Sequence, residues 1–187
     1  MEKLVIPALW IAWVVLWTIL ARGAKKTQWR ESIRSRLSYM VPGVVGVVSL
    51  SLSAPPDQFW FRPFLPWTPA FYWGGVALML AGFAITVWAR RHLGANWSAT
   101  VTVKQGHELI TDGPYRLVRH PIYSGLLLAC LGSALPREDP RAVAALALLL
   151  LSFLRKALIE EGRMVATFGD AYRAYRRRTR AIIPFLL

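Results

Sequence analysis

Long apolar runs alternate along the chain with short charged segments. Three runs are long, at residues 4–21, 37–54 and 69–89, and two are shorter, at 122–135 and 142–154. A helix needs about 20 apolar residues to cross a bilayer, so the pattern predicts an all-α integral membrane bundle with about five transmembrane helices. Polar groups are tolerated at membrane depth only where they face protein or water. The two short runs therefore predict helices that continue into a polar cavity at their charged ends.

Prolines and glycines indicate where the last helices begin and end. Proline suits the first position of a helix, where no N–H is needed, so Pro121 predicts the start of helix four. Gly169 is typical of a helix terminator, and Asp170 is predicted to cap a short interfacial helix that ends at Arg178. Upstream, residues 100–103 alternate like a short strand.

The positive charge of the chain is distributed unevenly. The formal net charge is +13, and 19 of the 23 Lys and Arg residues lie in the segments 22–36, 90–120 and 155–187. Cytoplasmic loops of membrane proteins carry an excess of Lys and Arg. This predicts an amino terminus outside and a carboxyl terminus in the cytoplasm, which agrees with an odd number of spans. The charge then reflects topology and contact with anionic lipid headgroups, and nucleic acid is not an expected partner.

The composition is that of one membrane domain, residues 1–187. The chain is 55% hydrophobic, has nine Trp and contains a single Cys, so no disulfide can form within it. We expect residues 1–92 to supply three helices and residues 93–187 to supply a helical hairpin, an interfacial helix and the functional site. Tryptophans recur at helical spacing on the first helix, at positions 10, 13 and 17, which is typical of a packing or lipid-facing surface.

The segment GPYRLVRHPIYSG, residues 113–125, is unusual between apolar helices. Arg116 and Arg119 alone would fit a basic membrane anchor, but two tyrosines, His120 and Pro121 are more than an anchor needs. The amino terminus of a helix attracts anions through its free N–H groups and its dipole. The start of helix four, with Arg119 and His120 beside it, is therefore predicted to bind a carboxylate or a phosphate.

A second cluster, on helix five, combines acids and bases. Lys156 and Glu160 are four residues apart and therefore share a helix face. Glu160 is a candidate ligand, whereas Glu161 is as readily interpreted as a partner for Arg163 and its basic neighbours. The His-Glu pair at positions 107–108 has no second histidine at the spacing of a helical metal motif, so we expect no metal site.

These motifs together resemble a known family. The stretch HELITDGPYRLVRHPIYSG, followed by Glu-Glu, FGDAY and IIPF, is similar to the isoprenylcysteine carboxyl methyltransferase family of integral membrane enzymes, and related phospholipid methyltransferases share parts of it. The resemblance covers residues 94–187. It implies S-adenosylmethionine as methyl donor, S-adenosylhomocysteine as product and a cytoplasmic cofactor pocket in the carboxyl-terminal half, with no Rossmann fingerprint in the chain. The residues that it places at the cofactor are His107, Glu108, Leu109, Ile110, Tyr115, His120, Pro121, Ile122, Tyr123 and Glu160.

The same resemblance indicates cations that would face the methyl acceptor. Family members carry an arginine on helix five that faces the acceptor; here Lys156 has that position and Arg155 is adjacent, so these two are candidate catalytic cations. Arg119, beside the start of helix four, is the third candidate catalytic cation. A carboxylate, with a pKa of about 4, is ionised and needs no base. This favours a lipophilic or lipidated acceptor of the isoprenylcysteine type that enters from the bilayer. A phospholipid amine, a small thiol and a non-catalytic membrane scaffold are the alternatives, and the oligomeric state is left open.

Overall fold

The chain folds mostly into helices. The computed structural model describes residues 4–22, 25–52, 57–64, 68–104, 106, 108–137 and 139–184. One antiparallel pair of strands, β1 (Thr27–Arg30) and β2 (Thr102–Lys104), joins the segment after the first helix to the segment after the third. The all-α prediction is confirmed in bulk and corrected by this small sheet. The helices are α1 (Val5–Leu20), α2 (Ile33–Ser51), α3 (Pro69–Leu93), α4 (Pro121–Ala134), α5 (Pro140–Phe168) and α6 (Asp170–Arg178).

The helix ends follow most of the local signals. Helix α4 begins at Pro121 as predicted, and α5 runs for 29 residues, well beyond its apolar run. We also expected α4 to continue beyond its apolar run at the charged end. That expectation is wrong, because Pro121 has no N–H to donate and the helix starts there. Asp170 is not a cap. Gly169, with φ of 53°, holds the cap position and makes the turn between α5 and α6, while Asp170 is the first residue of α6.

Among the described residues, two helices are long and apolar enough to cross a membrane by length and composition, at Pro69–Asn96 and Pro140–Phe168. Helices α1 and α4 are shorter apolar helices. Large apolar side chains on α1 and α2 are exposed, among them Ile11, Val14 and Val44. Such a surface suits contact with lipid, and an integral membrane protein is consistent with these helices. The number of spans stays a prediction.

Helices α3 and α4 pack closely because glycines face each other between them. A Cβ on Gly82 would lie 2.4 Å from the carbonyl oxygen of Gly125, and a Cβ on Gly132 would lie 2.3 Å from that of Gly75. Small residues let helix backbones approach in this way. Helix α1 is attached to this pair by tryptophan, since Nε1 of Trp13 donates to Thr86 at 2.9 Å.

Helices α2 and α5 form a second close pair. A Cβ on Gly46 would lie 3.0 Å from the carbonyl oxygen of Ala145. Farther along the same interface, the buried Ser152 hydroxyl donates to the carbonyl oxygen of Tyr39 at 2.7 Å. At one end of the two pairs, residues 94–104, 108–120 and 169–184 lie over the helix ends, and this end of the bundle holds the candidate site.

Candidate active site

A cavity of about 280 Å³ lies where α1, α4, α5 and α6 meet the segment between α3 and α4. Its wall combines charged, aromatic and aliphatic side chains, so it offers both a polar and an apolar surface. The lining residues are Trp13, Trp17, Leu93, Asn96, Trp97, Ser98, Ala99, Thr100, Val101, Thr102, Glu108, Leu109, Ile110, Tyr115, Arg119, His120, Pro121, Ile122, Tyr123, Leu126, Phe153, Lys156, Glu160, Met164, Tyr172 and Tyr175.

The polar wall is centred on His120, which lies between two carboxylates. Its Nδ1 is 3.3 Å from Oε2 of Glu160, and its Nε2 is 3.3 Å from Oε1 of Glu161. Burial lowers the pKa of His120, but the hydrogen bonds and charges of the two glutamates outweigh burial and hold that pKa above its usual range. The two glutamates therefore favour the protonated imidazole, which joins the start of α4 to α5.

Two tyrosines complete this wall. The Tyr123 hydroxyl donates to Oε1 of Glu160 at 2.6 Å, and its ring stacks on His120 with centroids 5.2 Å apart. Tyr115 is buried, and burial together with the charge of Glu160 raises the pKa of its phenol well above the usual range. The Tyr175 hydroxyl donates to the Tyr115 carbonyl at 2.6 Å. The Tyr115 phenol thus stays neutral, and Tyr115 and Tyr123 both present aromatic rings to the cavity.

Glu161 holds three cations together beneath the cavity. It is 4% exposed, and its oxygens lie 2.6 Å from Nε of Arg119 and 3.1 Å from Nε of Arg176, besides their contact with His120. The interpretation of Glu161 as a partner for basic residues agrees with these contacts, but the partners differ from the expected ones. Arg163 instead lies over the ring of Trp29 at 3.5 Å.

The start of α4 is covered by chain that returns from α6. The N–H of Arg119 donates to the carbonyl of Arg180 at 2.8 Å, and the N–H of His120 donates to that of Ala181 at 2.9 Å. Pro121 has no N–H, and the N–H of Tyr123 donates to the carbonyl of His120. Most donors of this helix end are therefore paired within the chain, which corrects the expectation of an open anion site there.

The three candidate cations lie in different surroundings. Lys156 lines the cavity; its Nζ donates to the carbonyl of Ala99 at 2.9 Å and lies 5.2 Å from the ring centre of Tyr123. Arg155 points to α2, where its Nε donates to Ser38 at 3.3 Å. Arg119 reaches the cavity wall, but its guanidinium is bound by Glu161 and by the Thr179 carbonyl.

The cavity roof is residues 98–102, and the segment between α1 and α2 holds it in place. The buried carboxylate of Glu31 accepts hydrogen bonds from the Val101 N–H at 3.2 Å, from the Ser35 hydroxyl at 2.7 Å and from the Tyr39 hydroxyl. The backbone N–H of Glu31 also donates to the Val101 carbonyl at 3.2 Å. Sequence reasoning missed this acid, because only the paired strands bring it to the roof.

Tryptophans from both halves of the chain form the apolar wall. Trp13 and Trp17 stack with centroids 4.9 Å apart, and Trp17 meets Trp97 edge to face at 5.6 Å. The sequence pattern indicated packing for the first two, and Trp13 does pack against α3. That pattern could not indicate the cavity, because the same helical spacing serves lipid-facing, packing and cavity-lining residues.

Most of the residues predicted for the site lie around this cavity. His107 lies outside the described residues, and Arg155 does not line the cavity. The predicted residues that line it are Glu108, Leu109, Ile110, Tyr115, Arg119, His120, Pro121, Ile122, Tyr123, Lys156 and Glu160. Their roles stay predictions.

The fold and the cavity define a mostly helical, apolar bundle with a polar cavity at one end. A family model described as phospholipid methyltransferase matches residues 70–171, more than half of the chain. The chain belongs to the phospholipid methyltransferase family. The match begins in α3 and ends at the start of α6, so it includes α4, α5 and the segment between α3 and α4, whereas the cavity-lining residues of α1 and α6 lie outside it.

Individual relatives agree with this family. A probable protein-S-isoprenylcysteine O-methyltransferase of Oryza sativa subsp. indica is 28% identical over 132 residues, which cover 69% of this chain and 64% of the rice protein. The protein-S-isoprenylcysteine O-methyltransferase of Schizosaccharomyces pombe is 33% identical over 96 residues, which cover 50% of this chain and 41% of the relative. The resemblance read from the sequence is confirmed by these matches.

A solved structure supports the fold. The structure described as the eukaryotic intramembrane Ras methyltransferase ICMT (isoprenylcysteine carboxyl methyltransferase) superposes with a TM-score of 0.56 at 23% identity. The superposition covers 79% of this chain and 52% of that one. The chain spans less than two thirds of the length of each of these three proteins.

Proposed function

We propose that the chain is an integral membrane methyltransferase that transfers a methyl group from S-adenosylmethionine to a lipophilic acceptor, a carboxylate of the isoprenylcysteine type. One observation carries the proposal: a single cavity has the Glu160–His120–Tyr123 wall on one side, tryptophans on the other, and Lys156 on its lining. Such a cavity suits a polar cationic donor beside an apolar acceptor.

The donor set of the cavity fits S-adenosylmethionine. That molecule supplies a methyl group on a cationic sulfonium, and it also carries an ammonium and ribose hydroxyls. Glu160 keeps lone pairs beyond those that accept from Tyr123 and His120, so it would hold the ammonium or the hydroxyls. The aromatic faces of Tyr115 and Tyr123 would attract the sulfonium by about 0.5–2 kcal/mol each. Glu108, Leu109 and Ile110 would complete this side.

Lys156 is the cation that we assign to the acceptor. Methyl transfer is an in-line displacement, so the protein contributes mainly by positioning the reactants and by excluding water. A carboxylate acceptor needs no base, and the Lys156 ammonium on the cavity wall would aim it. Arg155 contacts α2 and Arg119 is committed to Glu161, so neither is as well placed. The apolar wall around Trp17 would take the lipid part of the acceptor.

The proposal includes a membrane orientation. We assign about five spans, the amino terminus outside, and the cavity and carboxyl terminus on the cytoplasmic side. The support is the distribution of Lys and Arg along the chain and the apolar helices of the bundle. Membrane lipids are then constant partners, and the acceptor reaches the cavity from the bilayer.

An assay with three acceptors tests the assignment of Lys156. Purified protein is given labelled S-adenosylmethionine with a farnesylated cysteine, with phosphatidylethanolamine or with a small thiol. We expect methylation of the farnesylated cysteine. We expect Lys156→Ala to lower kcat/KM for it about 10- to 100-fold, the loss typical of one hydrogen bond to a charged group. The variant Lys156→Arg keeps the cation, and Arg155→Gln serves as the matched control outside the cavity.

The phospholipid amine is the second candidate, because the family whose model matches is described as phospholipid methyltransferase. The assay separates the two acceptors by whether removing the charge of Lys156 lowers or raises the rate of methylation. A cation beside an amine acceptor opposes its approach, so Lys156→Ala would then leave the rate unchanged or raise it. Methylation of the thiol alone would assign the third acceptor, and no transfer to any of them by folded protein would favour the non-catalytic scaffold.

A further inference from the structure

Helix α6 has two chemically different faces. Tyr172 and Tyr175 are buried on its inner face, and Thr179, directly after the helix, is also buried. On its outer side the chain presents an arginine face, which we define as Arg173, Arg176, Arg177, Arg178 and Arg180, all of them exposed. The outer side offers no apolar surface that could enter a membrane, so its contacts must be electrostatic.

The inner face of α6 is part of the cavity wall. Tyr172 and Tyr175 line the cavity, and the Tyr175 hydroxyl holds the Tyr115 carbonyl at 2.6 Å. Nε of Arg176 lies 3.1 Å from the Glu161 carboxylate that also binds His120. The cavity is therefore complete only while α6 is docked on it.

Docking of α6 is opposed by its own charge. A helix of nine residues is not stable in isolation, and like charges three or four positions apart on a helix repel each other. Asp170 pairs with Arg173 at 2.7 Å, and Glu161 is shared among three cations. For Arg177 and Arg178 the described residues show no carboxylate in salt-bridge contact, so an external anion would stabilise the docked helix.

The chain geometry brings the arginine face to the level of the lipid headgroups. About 20 helical residues cross the hydrocarbon layer, so counting from Pro140 the crossing part of α5 ends near residue 159. After α6 the chain returns to this level, because the fully buried Ile182 packs in one cluster with Tyr123 and Ala157. Arg180 is two residues from that contact.

We infer that the arginine face binds anionic lipid headgroups of the membrane, and that this contact strengthens donor binding by keeping α6 docked on the cavity. The second half of the inference rests on the proposed methyltransferase activity, whereas the lipid contact rests only on the proposed membrane crossing of α5. Nucleic acid carries the same charge, but the position of the arginine face beside a membrane-crossing helix favours lipid.

Hydrogen exchange of α6 in lipid nanodiscs tests the contact without any donor. The protein is compared in discs of phosphatidylcholine alone and in discs that also contain phosphatidylglycerol. We expect slower exchange of the α6 amides in the anionic discs, and we expect added salt to remove the difference. The variant Arg173→Gln/Arg177→Gln/Arg178→Gln should exchange alike in both discs. A matched control, Arg22→Gln/Arg34→Gln/Arg91→Gln, removes three exposed arginines elsewhere and should keep the difference.

Donor affinity measured in the same discs tests the coupling. We expect S-adenosylmethionine to bind about fivefold or more tightly in the anionic discs, with no such gain for the α6 variant. Equal α6 exchange in both discs overturns the inference, as does protection by a short single-stranded DNA where anionic lipid gives none. Protection by lipid with equal donor affinity overturns the coupling. Lipid protection with no donor binding in either disc would contradict the proposed function and leave the lipid contact standing.

Discussion

At the scale of single residues, His120 decides how the two ends of the cavity wall are connected. Its two ring nitrogens face Glu160 and Glu161, which are consecutive in α5 and diverge to the cavity and to α6 respectively. A neutral imidazole has one donor, whereas an imidazolium has two. Only the cation can donate to both glutamates at once. The protonation state of His120 therefore couples the cavity wall at Glu160 to the Glu161 carboxylate that binds Arg176 of α6.

This arrangement predicts a pH-dependent stability. The pKa of His120 is raised in the folded protein, above the value of about 6.5 expected in the unfolded chain. A raised folded pKa gives stability that is complete below about pH 6.5 and is lost as the pH rises through the folded pKa. We expect His120→Gln to lower the free energy of unfolding by about 1–3 kcal/mol on the acid side, with a smaller difference on the alkaline side.

Chemical or thermal unfolding of detergent-purified protein over a pH series measures this difference. Gln can still hydrogen-bond but carries no charge, so it isolates the contribution of the proton. A difference between wild type and His120→Gln that stays constant across the series would show that folding does not raise the pKa of His120, and a difference that shrinks toward acid pH would show a neutral imidazole in the folded protein. Either result would rule out His120 as the cationic link.

At the scale of elements, the two-stranded sheet holds one side of the cavity in place. Strand β1 comes from the amino-terminal half, and β2 begins at the last residue of the cavity roof, residues 98–102. The sheet and the Glu31 carboxylate together fasten the roof to α2. Lys156 then meets the roof from α5 through the Ala99 carbonyl. Elements distant in sequence therefore close one side of the cavity.

The variant Glu31→Ala tests this attachment. It leaves the Val101 N–H and two hydroxyls without their shared acceptor, which should cost about 1–3 kcal/mol of stability. We expect faster hydrogen exchange at residues 98–104 with little change in α3 and α4. Asp112→Asn, a change at an exposed acid, is the control. Unchanged exchange at the roof in Glu31→Ala would mean that the sheet alone holds it.

At the scale of the whole molecule, the sequence predicted the local features of the fold better than its long-range contacts. The start of α4 at Pro121 was predictable because a missing N–H acts on nearby residues. Helix α5 was predictable from its apolar run for the same reason. The pairing of Thr27–Arg30 with Thr102–Lys104 was not, because strand pairing joins segments far apart in the chain. For the same reason the roles of Glu31 and of the α1 tryptophans at the cavity were missed.

The candidate site was predictable where chemistry and motif coincided. Glu160, His120 and Tyr123 were all expected at the cofactor, and the structure gathers them within hydrogen-bond or stacking distance. The choice between Arg155 and Lys156 needed the helix orientation, because adjacent helical residues point about 100° apart. The return of the chain over the start of α4 depends on residues 180–182 and could not be read from local pattern.

The most direct test of the central claim is calorimetric titration of S-adenosylmethionine into detergent-purified protein. The account predicts micromolar binding by the wild type. It predicts binding weakened about 10- to 100-fold in Glu160→Gln, because the substitution replaces the carboxylate that would meet the cationic ligand with a neutral amide. It predicts unchanged binding in Asp57→Asn, a change at an exposed acid. Absence of binding by well-folded wild-type protein would contradict the methyltransferase proposal, and equal binding by Glu160→Gln would contradict the assigned donor site.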